Sequence, residues 1–459
     1  MQLRKNLILI IASVATFVEA LDIAIINLTI PSIQQQFHVG VEQAQWLQTL
    51  YVLLFGGFLI IGGKTSDQKG RKKVFLWGGL VFMLTSLGAG LSTSFESLAV
   101  FRALQGLGAA FIMPASSSII NNTFRETQER NRAIGVFSSF AAIGSGSGLS
   151  IGGLLSTYLS WHWVFLINVP ILAVTLLLAY IYIPKDDVVE NSHRTDTLTG
   201  ILMVLGLLSL AYGSHELAHF EDNPTLVIIS IITGAFLLAM VVYRLKSVEE
   251  PLIKLSLFNH PSVVVSNLIF FIQGAFFIGF LFLISLMLQS DMEHTAASAG
   301  LMLVPFSILS ALVAKFVLPS ISKRLNSTQM GVFGWSFLLA GALILWLSLY
   351  LGHPLSLVLV GAACISGIGI TFCFTSMAVL SIRDVASTNY GVISSLTSTS
   401  YFLGGGIGLS FMTVLNQLLP SEWAVGHLSL GLLALYALVS VLILLYIGRL
   451  EKERSLAIS

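Results

Sequence analysis

Two acidic residues, Glu19 and Asp22, lie three positions apart in the first apolar run of the sequence. Residues at this spacing share one face of an α-helix. A carboxyl group inside a membrane-spanning helix is rare and marks a pathway for protons or cations. Such a pair can hold a proton when empty and release it when a cation binds nearby, because an opposite charge favours the anionic form. We predict that both residues couple to protons and contact a substrate, and the choice of primary proton site stays open.

One basic residue, Arg102, also lies within an apolar run, about one helical turn from its outer edge. A long side chain at that depth can extend to the membrane interface. Alternatively, Arg102 pairs with the acids of the first run, as a structural ion pair or as part of proton coupling. Two acids against a single base would still leave one carboxyl in need of a proton. The residues alone leave these alternatives for Arg102 open.

These residues belong to a chain of 459 residues, of which 55% are hydrophobic and 10% are charged. A soluble globular chain usually carries about 25% charged residues. Apolar runs of about 20 residues, long enough to cross a bilayer as helices, recur along the whole sequence. We therefore predict an all-α membrane protein with fourteen spans. They lie near residues 7–30, 44–63, 74–92, 97–121, 133–157, 163–183, 197–218, 225–243, 262–288, 298–319, 329–351, 355–380, 391–415 and 427–448.

The basic residues are distributed unevenly among the loops. Of the 23 Lys and Arg residues, all but Arg102 and Lys315 fall in alternate loops or in the two terminal segments. Cytoplasmic loops carry the excess of Lys and Arg in multi-pass membrane proteins. The pattern predicts an even number of spans, with both termini in the cytoplasm and the chain in the cell (inner) membrane. A net charge of +1 gives no indication of a nucleic-acid partner.

The spans divide the chain into three predicted parts. Six spans end near residue 183, and a polar stretch follows. Two spans come next, and six more follow a second polar loop. We predict an N-terminal six-helix bundle over residues 1–183, an inserted two-helix hairpin with its linkers over 184–261, and a C-terminal six-helix bundle with its tail over 262–459. Duplicated halves are a recurrent plan of membrane transporters.

The loop after the second span runs from Gly63 to Lys73 and contains Asp67, Gly70 and Arg71. Glycine permits a tight turn, and an acid such as Asp67 can approach the positive N-terminus of the next helix. Arg71 is placed to pair with an acid on a neighbouring helix. A basic cytoplasmic loop would explain the charges of this segment but not the spacing of its glycines, acid and Arg.

This loop resembles the loop signature of the major facilitator superfamily, although Thr65 replaces the usual Leu. The segment from Leu98 to Ala110, which contains Arg102, resembles the second signature of that superfamily, whose Arg takes part in proton coupling. The resemblance implies the major facilitator fold, with two six-helix bundles and two inserted transmembrane helices. It also implies that Asp67, Gly70 and Arg71 act in gating.

The fifth span carries several glycines, including Gly144, Gly148 and Gly152. Small residues allow close packing of membrane helices, which would explain them without any role in transport. Their spacing is nevertheless similar to the antiporter signature of the drug-exporting branches of the superfamily, and the resemblance implies a gating role. Leu149 stands where that signature has Pro, so any bend would have to come from the glycines.

Two further segments, Leu21–Pro31 and Trp161–Pro170, resemble the fourteen-span drug:proton antiporter family, whose members usually have Arg at the position of His162. The resemblance implies a proton-coupled antiporter that exports hydrophobic, often cationic, compounds by alternating access, and we expect it to work as a monomer. Its partners would be such small molecules, protons and the lipid bilayer. It implies no cofactor, no metal and no enzymatic activity.

Three residues besides the acids are predicted to contact substrate: Asn27, Gln273 and Phe277. Aromatic side chains crowd the ninth span around Gln273, namely Phe270, Phe271, Phe276, Phe277, Phe280 and Phe282. They could line a pocket for aromatic or cationic compounds. Lipid-facing bulk is the simpler interpretation of this cluster.

Three other functions remain open. A lipid or glycolipid exporter would share the fold and the proton sites. An uptake symporter is disfavoured by the glycines of the fifth span. The segment His215–His219 matches the zinc-protease pattern H-E-x-x-H, but it lies at the end of a span and no third ligand is evident.

Overall fold

The computed structural model describes residues 2–186, 196–216, 223–249, 251–385, 390–418 and 425–458. All regular elements in these ranges are helices. We number the long helices α1 to α14: α1 Gln2–Ile25, α2 Val41–Lys69, α3 Arg71–Gly90, α4 Phe95–Thr123, α5 Thr127–Tyr158, α6 Asn168–Tyr182, α7 Thr197–His215, α8 Pro224–Ser247, α9 Pro261–Leu286, α10 Ala296–Leu312, α11 Ser327–Tyr350, α12 Leu355–Ile382, α13 Tyr390–Leu418 and α14 Val425–Ile458.

The predicted all-α, multi-span architecture is confirmed. Thirteen helices in the described ranges are long and apolar enough to cross a membrane. The exception among the numbered helices is α13, whose sequence is rich in Ser, Thr and Gly. A segment of this composition is less apolar than its neighbours, although it occupies the position of the thirteenth predicted span.

The first span extends beyond its predicted end near residue 30. After α1 the chain forms a 3₁₀ turn over Ile26–Thr29 and then a further α-helix, Ile30–Phe37. Pro31 lies in the first turn of that second helix. Because Pro lacks an N–H group, a helix start is the place that tolerates it. The change to 3₁₀ geometry therefore lets the helical path continue through a residue that usually breaks it.

The residues form two compact units, of which unit 1 comprises Met1–Leu255 together with Thr295–Leu301. In this unit α1 packs on α5, and α4 packs on both α2 and α3. The hairpin α7–α8 packs on α2 through small residues, because a side chain at Gly57 or Gly200 would overlap Val204 or Ile61.

The hairpin is closed at one end by an ion pair between Asp196, just before α7, and Arg244 of α8, at 2.8 Å. Burial raises the pKa of the Asp196 carboxyl, but hydrogen bonds from Thr199 and Arg244 outweigh it and hold that pKa below its usual range. This ion pair fixes the two helices of the hairpin to each other at that end.

Unit 2 comprises Ser256–His294 and Met302–Ser459. In this unit α9 packs on α13, and α11 packs on α12 and α14. Within α12 the residues Ala363–Gly369 form a π-helical turn. Such turns are rare in proteins overall, but those that occur often lie at functional sites.

Candidate functional site

Helix α1 carries the two acids into the interior of unit 1. The Asp22 side chain is fully buried, and Glu19 is 4% exposed. The helix brings these residues to α4 and α6, on which α1 packs. Both acids therefore lie within the protein rather than on its outer face, although their surroundings differ.

Asp22 is the centre of a polar network. It forms an ion pair with the guanidinium of Arg102. Its Oδ1 atom accepts hydrogen bonds from the side-chain amides of Gln105 and Asn168, each at 2.9 Å. Gln105 also donates to the Ser86 hydroxyl at 2.8 Å. Side chains of three other helices, α3, α4 and α6, thus form a network around one carboxylate of α1.

Arg102 is itself fully buried. Its guanidinium donates to the Gln105 side-chain oxygen at 2.8 Å and to the Leu47 carbonyl at 3.2 Å. It also lies over the Tyr51 ring at 4.3 Å and the Phe165 ring at 5.7 Å. The alternative prediction that Arg102 extends to the membrane interface is wrong, because an acid, neutral acceptors and two aromatic faces hold the charge inside.

Glu19 lacks the partners that Asp22 has. Its Oε2 atom is buried without a hydrogen-bond partner, and Glu19 forms no ion pair with the described residues. Asp22, three residues further along the same helix, carries a like charge. Of the two predicted acids, one is therefore fully engaged and the other is free to engage a ligand or a proton.

Three members of the network were missed in the sequence: Ser86, Gln105 and Asn168. Gln105 lies three residues after Arg102, the spacing that places both on one helix face. Asn168 precedes Pro170 in the segment already singled out for its resemblance. Tyr51, whose ring covers Arg102, was also missed. Only the spacing of Gln105 from Arg102 offered a usable signal.

The glycines of α5 face α1. A side chain at Gly144 would overlap the Phe17 carbonyl, and one at Gly148 would lie 2.8 Å from the Leu21 carbonyl. At Gly152 the would-be Cβ lies 2.5 Å from the Ile25 carbonyl. The helix α5 is continuous over its 32 residues, so Leu149 does not mark a break. These glycines let α5 approach the helix that carries both acids.

The loop between α2 and α3 turns at Gly70, whose φ of +95° is one that side chains rarely adopt. The acid at the N-terminus of α3 is Asp186, which accepts a hydrogen bond from the Lys72 amide at 3.0 Å. Arg71 also pairs with Asp186, at 3.7 Å. Asp67 lies exposed in the last turn of α2. Asp186 thus occupies the position at the N-terminus of α3 that was considered for Asp67. Nothing in the sequence singled out Asp186.

The other three predicted substrate residues come later in the sequence than Asp22, the centre of the polar network. Asn27 is buried in the 3₁₀ turn after α1, and its amide donates to the Ile23 and Ala24 carbonyls at 3.2 Å. Gln273 and Phe277 lie on α9 in unit 2. Gln273 is fully buried, and neither polar atom of its side chain has a hydrogen-bond partner among the described residues.

The aromatic cluster of α9 is mostly interior. The interpretation as lipid-facing bulk is wrong for the four buried rings, which are Phe270, Phe276, Phe280 and Phe282. The ring of Phe276, for example, packs edge-on against Trp335 of α11 at 5.9 Å. These rings fill the core of unit 2, whereas Phe277 is only half-buried and packs near Phe280 at 6.1 Å.

The structure describes only the first two residues of the segment His215–His219, which matches the zinc-protease pattern. His215 ends α7 and Glu216 follows it, whereas residues 217–219 lie outside the described ranges. Among the residues that the structure does describe, no group of three or more His, Cys, Asp or Glu could hold a metal ion.

A long array of apolar helices defines the chain as a multi-pass membrane protein, and a charged network is buried in one of its units. The family model of the Major Facilitator Superfamily matches residues 12–409. The chain belongs to this superfamily, and the predicted family and fold are confirmed.

Curated relatives cover most of the chain. The cephamycin export protein CmcT of Amycolatopsis lactamdurans is 31% identical over 413 residues, which are 88% of this chain and 83% of the relative. The multidrug resistance protein Stp of Mycobacterium tuberculosis is 30% identical over 89% of this chain and 75% of its own length. The methylenomycin A resistance protein of Streptomyces coelicolor is also 30% identical, over 90% of this chain and 86% of its own length.

Solved structures support the fold. The POT family transporter PepTSo matches with a TM-score of 0.71 at 14% identity, over 98% of both chains. A D-xylose-proton symporter matches with a TM-score of 0.68 at 13% identity, over 96% of this chain and 97% of its own. At such low identity the likeness concerns the fold alone.

Proposed function

We propose that this chain is a proton-coupled antiporter that exports hydrophobic, often cationic, compounds by alternating access. The printed names of its relatives, which concern drug export and antibiotic resistance, support the substrate class. One structural observation carries the proton coupling. Beside the Asp22–Arg102 ion pair, Glu19 is a buried carboxyl group whose Oε2 has no hydrogen-bond partner among the described residues.

The two acids have different roles in this proposal. Burying an isolated carboxylate is costly, so an unpaired acid holds a proton instead. Glu19 therefore carries the exchangeable proton and releases it when a cation approaches. Asp22 stays anionic because Arg102 and two amides stabilise its charge. It repels a second negative charge at Glu19, and so helps Glu19 to recover its proton after the cation has left.

The predicted gating residues act in this proposal on the conformational equilibrium. Gly144, Gly148 and Gly152 keep α5 close to α1. Gly70 provides the turn of the α2–α3 loop, and Arg71 ties this loop to Asp186. Asp67 remains exposed nearby. The orientation proposed is the one predicted from Lys and Arg placement, with both termini cytoplasmic in the inner membrane, and the proposed working form is a monomer.

Asp67→Asn should slow transport by on the order of tenfold while leaving substrate binding largely intact, because Asp67 acts on a conformational equilibrium and not on the ligand contacts. Binding to detergent-purified protein and transport in proteoliposomes measure the two quantities. Glu126→Gln, which neutralises another exposed acid, is the matched control and should change neither. A parallel loss of binding and transport in Asp67→Asn would indicate a direct substrate role or misfolding.

The proposed function is tested by cation-driven proton flux. Protein is reconstituted in liposomes that enclose a pH-sensitive dye, and ethidium is added outside. Antiport predicts that the lumen becomes alkaline as ethidium enters, beyond the change in protein-free liposomes. An uptake symporter would acidify the lumen. A lipid exporter would give no ethidium-dependent flux but would move labelled lipid between leaflets. A protease would hydrolyse peptide and lose that activity on His215→Ala.

A further inference from the structure

The two units share one packing register, which identifies equivalent residues. In unit 1 a side chain at Gly144 would overlap the Phe17 carbonyl, and four residues later Gly148 faces Leu21. In unit 2 a side chain at Gly404 would overlap the Phe271 carbonyl, and four residues later Gly408 faces Ala275. Helices α5 and α13 therefore meet α1 and α9 in the same way. Phe17 corresponds to Phe271, and Leu21 corresponds to Ala275.

This correspondence identifies the residue of unit 2 that occupies the position of each acid of unit 1. Glu19, two residues after Phe17, corresponds to Gln273, two residues after Phe271. Asp22 corresponds in the same way to Phe276. The position of the exchangeable acid is thus occupied in unit 2 by an amide of nearly the same size, and the position of the fixed acid by an aromatic ring.

A second pair of helices gives the counterpart of Arg102. In unit 1 Gly78 of α3 faces Phe111 of α4, and in unit 2 Gly334 of α11 faces Phe372 of α12. Phe111 thus corresponds to Phe372, and nine residues earlier Arg102 corresponds to Ala363, the first residue of the π-helical turn. Unit 2 therefore keeps none of the charges of the unit 1 network. At the Glu19 position a polar but uncharged side chain, that of Gln273, remains.

Gln273 shares with Glu19 an unusual combination of burial and lack of partners. It is 0% exposed, and neither Nε2 nor Oε1 has a hydrogen-bond partner among the described residues. An unsatisfied buried amide is destabilising, since it has given up hydrogen bonds to water without replacement. Gln289, later in the same span, donates to the Ser285 hydroxyl at 2.9 Å and is satisfied locally. A structural role therefore explains Gln289 but not Gln273.

We propose that Gln273 binds an uncharged hydrogen-bonding group of the transported compound, such as an amide, a carbonyl or a hydroxyl. The inference rests on the proposed function and extends its substrates to neutral polar compounds. An amide offers one acceptor and two donor hydrogens without a charge, so it satisfies a neutral group but gains little from a cation. The duplication has thus separated two chemistries: the Glu19 position exchanges a proton for a cation, and the Gln273 position recognises a neutral group.

The test compares two probes by calorimetric titration of the detergent-purified full chain. Tetraphenylphosphonium is a cation without hydrogen-bonding groups, and chloramphenicol is a neutral amide. Gln273→Leu should weaken chloramphenicol binding by about tenfold, because its polar group then meets no partner. Tetraphenylphosphonium affinity should not change. Gln289→Leu is the matched control on the same span and should leave both affinities as they are.

Gln273→Glu is a second variant that distinguishes a loss of binding from a loss of folding, since it keeps the size of the side chain. Its chloramphenicol affinity should fall as the pH rises and the carboxyl group ionises, whereas the wild-type affinity should not. Equal losses for both probes in Gln273→Leu, or no loss with either, would overturn the inference. It is also overturned if the wild-type protein binds tetraphenylphosphonium but not chloramphenicol. Wild-type protein that binds neither probe would refute the proposed function as well.

Discussion

Removing either partner of the Asp22–Arg102 ion pair is expected to destabilise the folded protein by about 3–5 kcal/mol, because the remaining group is left as an uncompensated buried charge. Arg102→Leu leaves Asp22 with only the amides of Gln105 and Asn168. Asp22→Leu leaves Arg102 with neutral acceptors and aromatic rings alone. Each should lower the free energy of unfolding, measured by equilibrium unfolding in mixed micelles.

The double variant Asp22→Leu/Arg102→Leu should be less destabilised than the sum of the two single variants, since it removes both charges together. A matched cycle on the partly exposed Lys5–Glu129 pair, at 2.8 Å, should give a coupling of less than about 1 kcal/mol. Additive losses in the Asp22–Arg102 cycle would show that the buried contact does not hold the network together.

The second large effect is expected at Glu19. Glu19→Gln keeps the size of the side chain and removes its proton, so ethidium accumulation driven by a pH gradient should fall to the level of protein-free liposomes. Downhill exchange of ethidium should continue, because it needs no proton. Glu96→Gln, an exposed acid at the start of α4, is the control and should retain accumulation. Gradient-driven accumulation in Glu19→Gln at the wild-type level would contradict the role assigned to Glu19.

The charged part of the candidate site was visible in the sequence, whereas the polar part was not. Glu19, Asp22 and Arg102 are conspicuous because ionisable residues in apolar segments are rare. Ser86, Gln105 and Asn168 are uncharged, and such residues occur in many membrane helices without a special role. Their meeting at Asp22 depends on the mutual rotation of α1, α3, α4 and α6, which no spacing within one segment encodes.

Thirteen of the fourteen numbered helices were predictable as spans because their length and hydropathy suffice to define them. The continuation of the first span past Pro31 was not, since it depends on a local change to 3₁₀ geometry. The contact of Asp186 with the start of α3 was also missed, because Asp186 lies more than a hundred residues from Lys72 in the sequence. The correspondence of Gln273 with Glu19 is hidden in the sequence for a similar reason: contacts of glycines on other helices reveal it.

The central claim is that Glu19, and not Asp22, releases the proton that a bound cation displaces. It is tested most directly by proton release when tetraphenylphosphonium binds to purified protein in weakly buffered detergent solution. The wild-type protein should release about one proton per cation bound, and its affinity should weaken as the pH falls, as linkage requires. Asp22→Asn, in the fraction that folds, should still release a proton, whereas Glu19→Gln should release none and bind independently of pH. Proton release from Glu19→Gln equal to that of the wild type, together with its loss in Asp22→Asn, would contradict the claim and transfer the role to Asp22.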